Sequence, residues 1–142
     1  MNDNVKLLDF IYQNSQMGVE TIDQLEKIVE DKDFRSYLKE KYEGYLKIHK
    51  DAKEKLHSHG YDEKGLSSFE KIRTYLTINI QTLTDKSTSH IAEMMMIGST
   101  MGIINAIRNL ADFKNAQDDI LMLMETLKKF EEKSYSDLQH FI

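Results

Sequence analysis

Proline is wholly absent from this chain of 142 residues, although average usage of about 5% would supply about seven. Proline removes an interior backbone donor and clashes with the preceding turn, so a chain without it can run long helices unbroken. Apolar residues also recur at threes and fours through most of the sequence, the period of one helix face. Together these two features predict an all-α fold. One domain covering residues 1–142 is expected, because domains most often run about 100–150 residues. A chain of this size buries roughly 68–70% of its unfolded surface, enough for a self-supporting core.

The first helix is expected over residues 3–30, capped by Asn2, Asp3 or Asn4. Its seam steps through Leu8, Ile11, Ser15, Gly18, Ile22, Leu25 and Val29. Ser15 and Gly18 are small, which predicts close approach of a neighbouring backbone, and the serine hydroxyl can bond back one turn. Asp31-Lys32-Asp33 connects to a second helix over 34–59, with Asp33 the expected cap and Gly60 the stop. The second seam reads Leu38, Tyr42, Tyr45, His49, Ala52 and Leu56. Two arms of similar length on a tight turn make an antiparallel hairpin. Folding near residues 31–32 sets Ser15 beside Ile48, Gly18 beside Tyr45 and Glu20 beside Glu43.

A polar loop follows over 61–67, with Ser67 or Ser68 available as a cap, then an amphipathic segment marked by Phe69, Ile72, Leu76, Ile80 and Leu83. The stretch TLTDKSTS, residues 82–89, is rich in hydroxyls that cap or bend helices, so a break is expected near 84–88. The next helix carries the stripe His90, Met94, Ile97, Met101, Ile104 and Ile107, expected to face the core. Between Glu93 and Arg108 lie fourteen residues without a charge, the longest such run in the chain. A membrane span needs about 20 apolar residues, so this run suits a buried core helix instead. Residues 113–117 turn the chain, and a last helix over 117–141 carries Ile120, Met124, Leu127, Phe130, Ser134, Leu138 and Phe141. Two hairpins joined by a long connection predict an antiparallel four-helix bundle with an extra helical segment in that connection.

In its helix lengths, its long middle connection and the phrases MGVETIDQL and DKSTSHIAEMMMIGSTMGI, the chain resembles the ferritin-like superfamily. Within it, the resemblance is to small bacterial four-helix-bundle families of unknown function. It implies a ferritin-like crossover and, as one alternative, a metal-binding protein or oxidoreductase. Di-iron members use a Glu from each of two helices and Glu-x-x-His from each of the other two. This chain departs from that pattern. Glu54 and His57 lie off the second seam, His90 and Glu93 stand in reverse order, and Asp137 and His140 sit near the chain end. Folding the second hairpin at 113–114 nevertheless sets His90 opposite Asp137 and Glu93 opposite Ser134. His90, Glu93, Asp137 and His140 are therefore candidate ligands for zinc, iron or manganese. The alternative is ordinary surface bonding by His90 and a fraying His140.

Ser15, Tyr45 and His49 form a second candidate, a polar layer that either binds a small ligand or fixes helix register. No third group is placed to orient the imidazole for nucleophilic catalysis. Glu20 and Glu43 read as two solvated carboxylates rather than an acid–base pair. The methionines read as adaptable core filler rather than soft-metal ligands. There are no cysteines, which excludes disulfides and thiolate chemistry. The net charge of −5 disfavours nucleic acid or an anionic membrane as a partner. The lysines at 39, 41, 47, 50, 53 and 55 are interleaved with acids and read as a solvated helix face. The N-terminus MNDNVKLLDF has no secretory pattern, so a cytoplasmic location is expected. No motif names a reaction. The expected function is a non-catalytic helical-bundle protein that self-associates, as a dimer, through the Gly98/Gly102 or Met-rich face.

Overall fold

The computed structural model describes residues 2–61 and 79–142. Among them are four long helices, α1 (Asp3–Leu25), α2 (Lys32–Ser58), α3 (Thr88–Asp112) and α4 (Asp118–Leu138), and a closing 3₁₀ turn at Gln139–Phe141. No strand occurs among the described residues. The protein is all-helical in this sense, and the expected segment bearing Phe69, Ile72 and Leu76 lies outside the described residues.

The helix starts follow capping chemistry. Asn2 Oδ1 accepts the Val5 N–H at 3.0 Å, and Ser87 Oγ accepts the His90 N–H at 3.2 Å. α2 is capped by Asp31, whose carboxylate accepts the Phe34 N–H at 2.8 Å, two residues before the expected Asp33. The expected break before α3 is present: residues 83–87 are non-helical, and Asp85 Oδ1 accepts the Ser87 N–H at 2.9 Å. Gly60 ends the α2 region at φ 81°, a left-handed conformation that side chains disfavour. α4 borrows its cap. Gln117 makes no side-chain cap bond, and Asn4 Oδ1 accepts the Gln117 N–H at 2.7 Å while Asp3 accepts the Asn115 N–H at 3.1 Å. The start of α1 is thereby tied to the start of α4.

α1 and α2 run antiparallel along each other, as the contacts of Tyr12 and Ser15 with His49, and of Gly18 with Tyr45, require. α3 packs chiefly along α4, which also touches α1 and α2, whereas α3 barely meets α1. One apolar cluster gathers Leu7, Leu8, Ile11, Ala52, Leu56, Ile120, Met124 and Leu127. A second gathers Ile22, Leu25, Phe34, Leu38, Ile91 and Leu138.

The face of α3 is the main correction to the sequence expectation. Its inward residues are Ile91, Ala92, Ser99, Gly102 and Ala106. The stripe expected in the core points out: Ile97, Met101, Ile104 and Ile107 are 57, 60, 44 and 50% exposed. Both faces repeat at threes and fours, so periodicity alone cannot choose between them. Close packing against α4 favours the small residues, because a short side chain lets two helix axes approach.

Candidate functional site

Between α1 and α3 lies a cavity of about 230 Å³. Met17, Gly18, Ile22, Ile91, Met95 and Gly98 wall it, and Lys41, Tyr45, Ser99 and Glu131 supply the polar side. α3 packs against α4 far more than against α1. Gly98 leaves the cavity room, since a Cβ built there meets nothing within 4 Å.

Glu131 is 2% exposed, yet its carboxyl group is well provided with donors. The Tyr45 hydroxyl donates to its Oε1 at 2.5 Å, and the Ser99 and Asn14 side chains hydrogen-bond the same group. Burial pushes the Glu131 carboxyl above its ordinary pKa, while those bonds and the nearby Lys41 charge oppose the shift. Gly102 helps to seat it: a Cβ there would lie 3.4 Å from Glu131 Cγ and Cδ and 3.6 Å from Asn14 Oδ1.

Lys41 is 5% exposed, and its ammonium lies on aromatic faces. Its Nζ sits 3.4 Å from the Phe130 ring centroid and 5.2 Å from that of Tyr45, in cation–π contact. Tyr45 and Phe130 meet edge to face at 4.7 Å. Burial lowers the Lys41 pKa to about 8, with the Glu131 charge acting in the opposite direction. Reading Lys41 as part of a solvated face is therefore incorrect.

Both charged residues had a legible signal. Lys41 continues the series Phe34, Leu38, Tyr45 and Ile48 at spacings of three and four, and Glu131 sits likewise between Leu127 and Ser134. A charged residue at a seam position must be buried with partners or else break the seam. The seams expected from the sequence pass through Tyr42 and Phe130 and leave out both charged residues.

Of the ligand-layer candidates, Ser15 and His49 meet, with Ser15 Oγ and His49 Nδ1 3.2 Å apart. The Ser15 hydroxyl is 2.7 Å from the Ile11 carbonyl oxygen and 3.1 Å from that of Tyr12. The hydroxyl is thus within bonding distance of its own helix backbone as well as of His49. A serine bonded back to its own turn in this way reads as a register-fixing contact rather than a poised nucleophile. Tyr12 lies tilted against the His49 ring, centroids 4.4 Å apart, and completes that layer. Tyr45 belongs to the Glu131 cluster instead.

Among the described residues, no three His, Asp or Glu side chains are gathered so that they could hold a metal ion. His90 is half-buried beside its Ser87 cap, and Glu93 is exposed. Asp137 accepts from Lys133 Nζ at 2.6 Å, and His140 is exposed in the closing 3₁₀ turn. These four candidates are thus not drawn into one ligand set.

The remaining feature is the outer surface of α3. From residue 94 to 107 it presents Ile97, Gly98, Thr100, Met101, Ile104, Asn105 and Ile107 without a single charge. Glu93 and Arg108, both exposed, close the two ends. The described residues thus define an all-helical protein with a polar cluster buried under a cavity and an apolar face left open. No protein-family model, curated protein or solved structure matches this chain. No helix among the described residues is long and apolar enough to cross a membrane.

Proposed function

We propose that this chain is a non-catalytic helical-bundle protein, its hairpins arranged as an antiparallel four-helix bundle of ferritin-like layout, that pairs with a second copy through α3. The observation that carries the proposal is the exposed Ile97–Met101–Ile104–Ile107 stripe within an uncharged stretch. Contiguous apolar surface of this kind marks interaction sites on folded proteins. In a chain with 30% charged residues, an uncharged helix face is a pronounced departure.

The second copy is favoured by the charges at the ends of the stripe. A two-fold axis between Thr100 and Met101 sets Glu93 against the partner's Arg108, Met94 against the partner's Ile107, and Ile97 against the partner's Ile104. An antiparallel pair is therefore complementary in charge at both ends and apolar between them. Half-exposed side chains of this size gain about 1 kcal/mol each when covered. Four per copy give about 8 kcal/mol, against an association cost of about 4–15 kcal/mol. A weak, concentration-dependent dimer is expected.

Light scattering and sedimentation equilibrium over a wide concentration range test this. The wild type should move from monomer to dimer, and Ile104→Lys should weaken the pair by tenfold or more, about 1.4 kcal/mol. Glu93→Arg should weaken it by setting arginine against arginine, and adding Arg108→Glu should restore it. A monomer at all concentrations, or a dimer indifferent to Ile104→Lys, would refute the proposal.

A further inference from the structure

We infer that the cavity beside Lys41 is a binding site for a small monocarboxylate with an apolar chain, the carboxylate on Lys41 Nζ and the chain between α1 and α3. The polar cluster is imbalanced. Glu131 takes hydrogen bonds from Tyr45, Ser99 and Asn14. Lys41, by contrast, is 95% buried and lines the cavity with three N–H donors, yet among the described residues it makes cation–π contacts and no hydrogen bond or ion pair. An ammonium drawn this far out of water, with rings on two sides and Glu131 as its nearest opposing charge, keeps donors turned to the cavity. An anion entering the cavity meets those donors directly.

The walls decide what else the anion carries. Met17, Ile22, Ile91 and Met95 offer apolar surface, so the ligand body is hydrocarbon. A phosphate head would bring up to two charges out of water against a single ammonium, whereas a carboxylate brings one. The size is also bounded. At about 230 Å³ the cavity is larger than the roughly 150 Å³ that admits benzene and smaller than pockets for drug-sized molecules, so a chain of about six to ten carbons fits. Tyr45 and Phe130, which hold the Lys41 cation on their faces, orient it without neutralising it. Lys41, Met17, Ile22, Ile91 and Met95 lie off the outward stripe of α3, whereas Met94 and Gly98 border both the cavity and that stripe.

Titration calorimetry on the full chain with octanoate, octan-1-ol and octylamine tests the assignment. Octanoate should bind at least tenfold more tightly than octanol, and octylamine should bind no better than octanol. Lys41→Met should bring octanoate down to the octanol level, while Lys41→Arg should keep the preference. Gly98→Leu, placed where a side chain has open space, should weaken both octanoate and octanol by filling the cavity. Circular dichroism and octanol binding report whether Lys41→Met still folds. If it does not, the wild-type ratio of octanoate to octanol and the Lys41→Arg variant still decide. Equal affinity for octanoate and octanol, absence of octanoate binding, or octanoate binding undiminished in a folded Lys41→Met protein would each overturn the assignment. Repeating the titration on Ile104→Lys separates ligand binding from self-association.

Discussion

Glu131→Leu is expected to lower the stability of the fold by about 3–5 kcal/mol, the loss typical when one member of a buried charged set is removed. Leucine fills a similar volume, so the effect does not come from a cavity. It comes from what Glu131 leaves behind: a buried Tyr45 hydroxyl, the Ser99 and Asn14 side chains, and the Lys41 cation with its nearest opposing charge gone. Each unmet buried donor costs about 1–3 kcal/mol. Glu131→Gln should lose less, because the amide oxygen still accepts from Tyr45. Urea unfolding at pH 7 measures both.

The same group has a pH signature. Burial raises the Glu131 carboxyl above its ordinary 4.5. Between pH 4.5 and that raised value, the native protein holds a proton that the unfolded chain has released. The contribution of Glu131 to stability therefore falls as pH rises through this window and levels off above it. Glu131→Gln removes the titrating group, so the stability difference between wild type and variant should change in that window and stay flat above it. A difference that does not vary across the window would show that Glu131 titrates as a solvated acid.

Gly18→Ala and Gly98→Ala should shift the melting temperature in opposite directions, although both replace a helical glycine. In an open helix position alanine gains about 0.5–1 kcal/mol over glycine. Gly98 is such a position, with nothing within 4 Å of an added Cβ, so the gain should appear in full. At Gly18 the added Cβ would lie 2.6 Å from Tyr45 Cγ and Cδ1 and 2.7 Å from Cδ2. The ring is hemmed in: Phe130 lies edge-on at 4.7 Å, and its hydroxyl is held by Glu131. Overpacking of this kind costs about 1–3 kcal/mol, which outweighs the propensity gain. Thermal unfolding should show Gly98→Ala raised and Gly18→Ala lowered, by a few degrees each for a chain of this length. Two shifts of the same sign would mean that α1 and α2 do not approach as closely at Gly18 as described.

Much of the architecture can be read from residues alone. The absence of proline, the seams and the cap at Asn2 announce long helices, and the turns near 31 and 113–117 announce two hairpins. The pairing of Gly18 with Tyr45 follows from folding the first hairpin at its turn. These features are local or pairwise, set by helix period and turn position. They are decided before any third element arrives.

What the helices do with their faces is decided only in three dimensions. α3 has two stripes of the same period, one of small residues and one of Ile and Met, and hydrophobicity favours burying the second. The structure buries Ala92, Ser99, Gly102 and Ala106 instead, because α3 lies close against α4 and Glu131 occupies the space that Gly102 leaves. The burial of Lys41 has the same origin: a lysine among interleaved acids looks solvated until Phe130 of a distant helix covers it. A seam tells which residues share a face, since that depends on the chain's own geometry. Which face turns inward depends on the shape and charge of neighbours more than eighty residues away, as between Tyr45 and Glu131, and no local pattern encodes that.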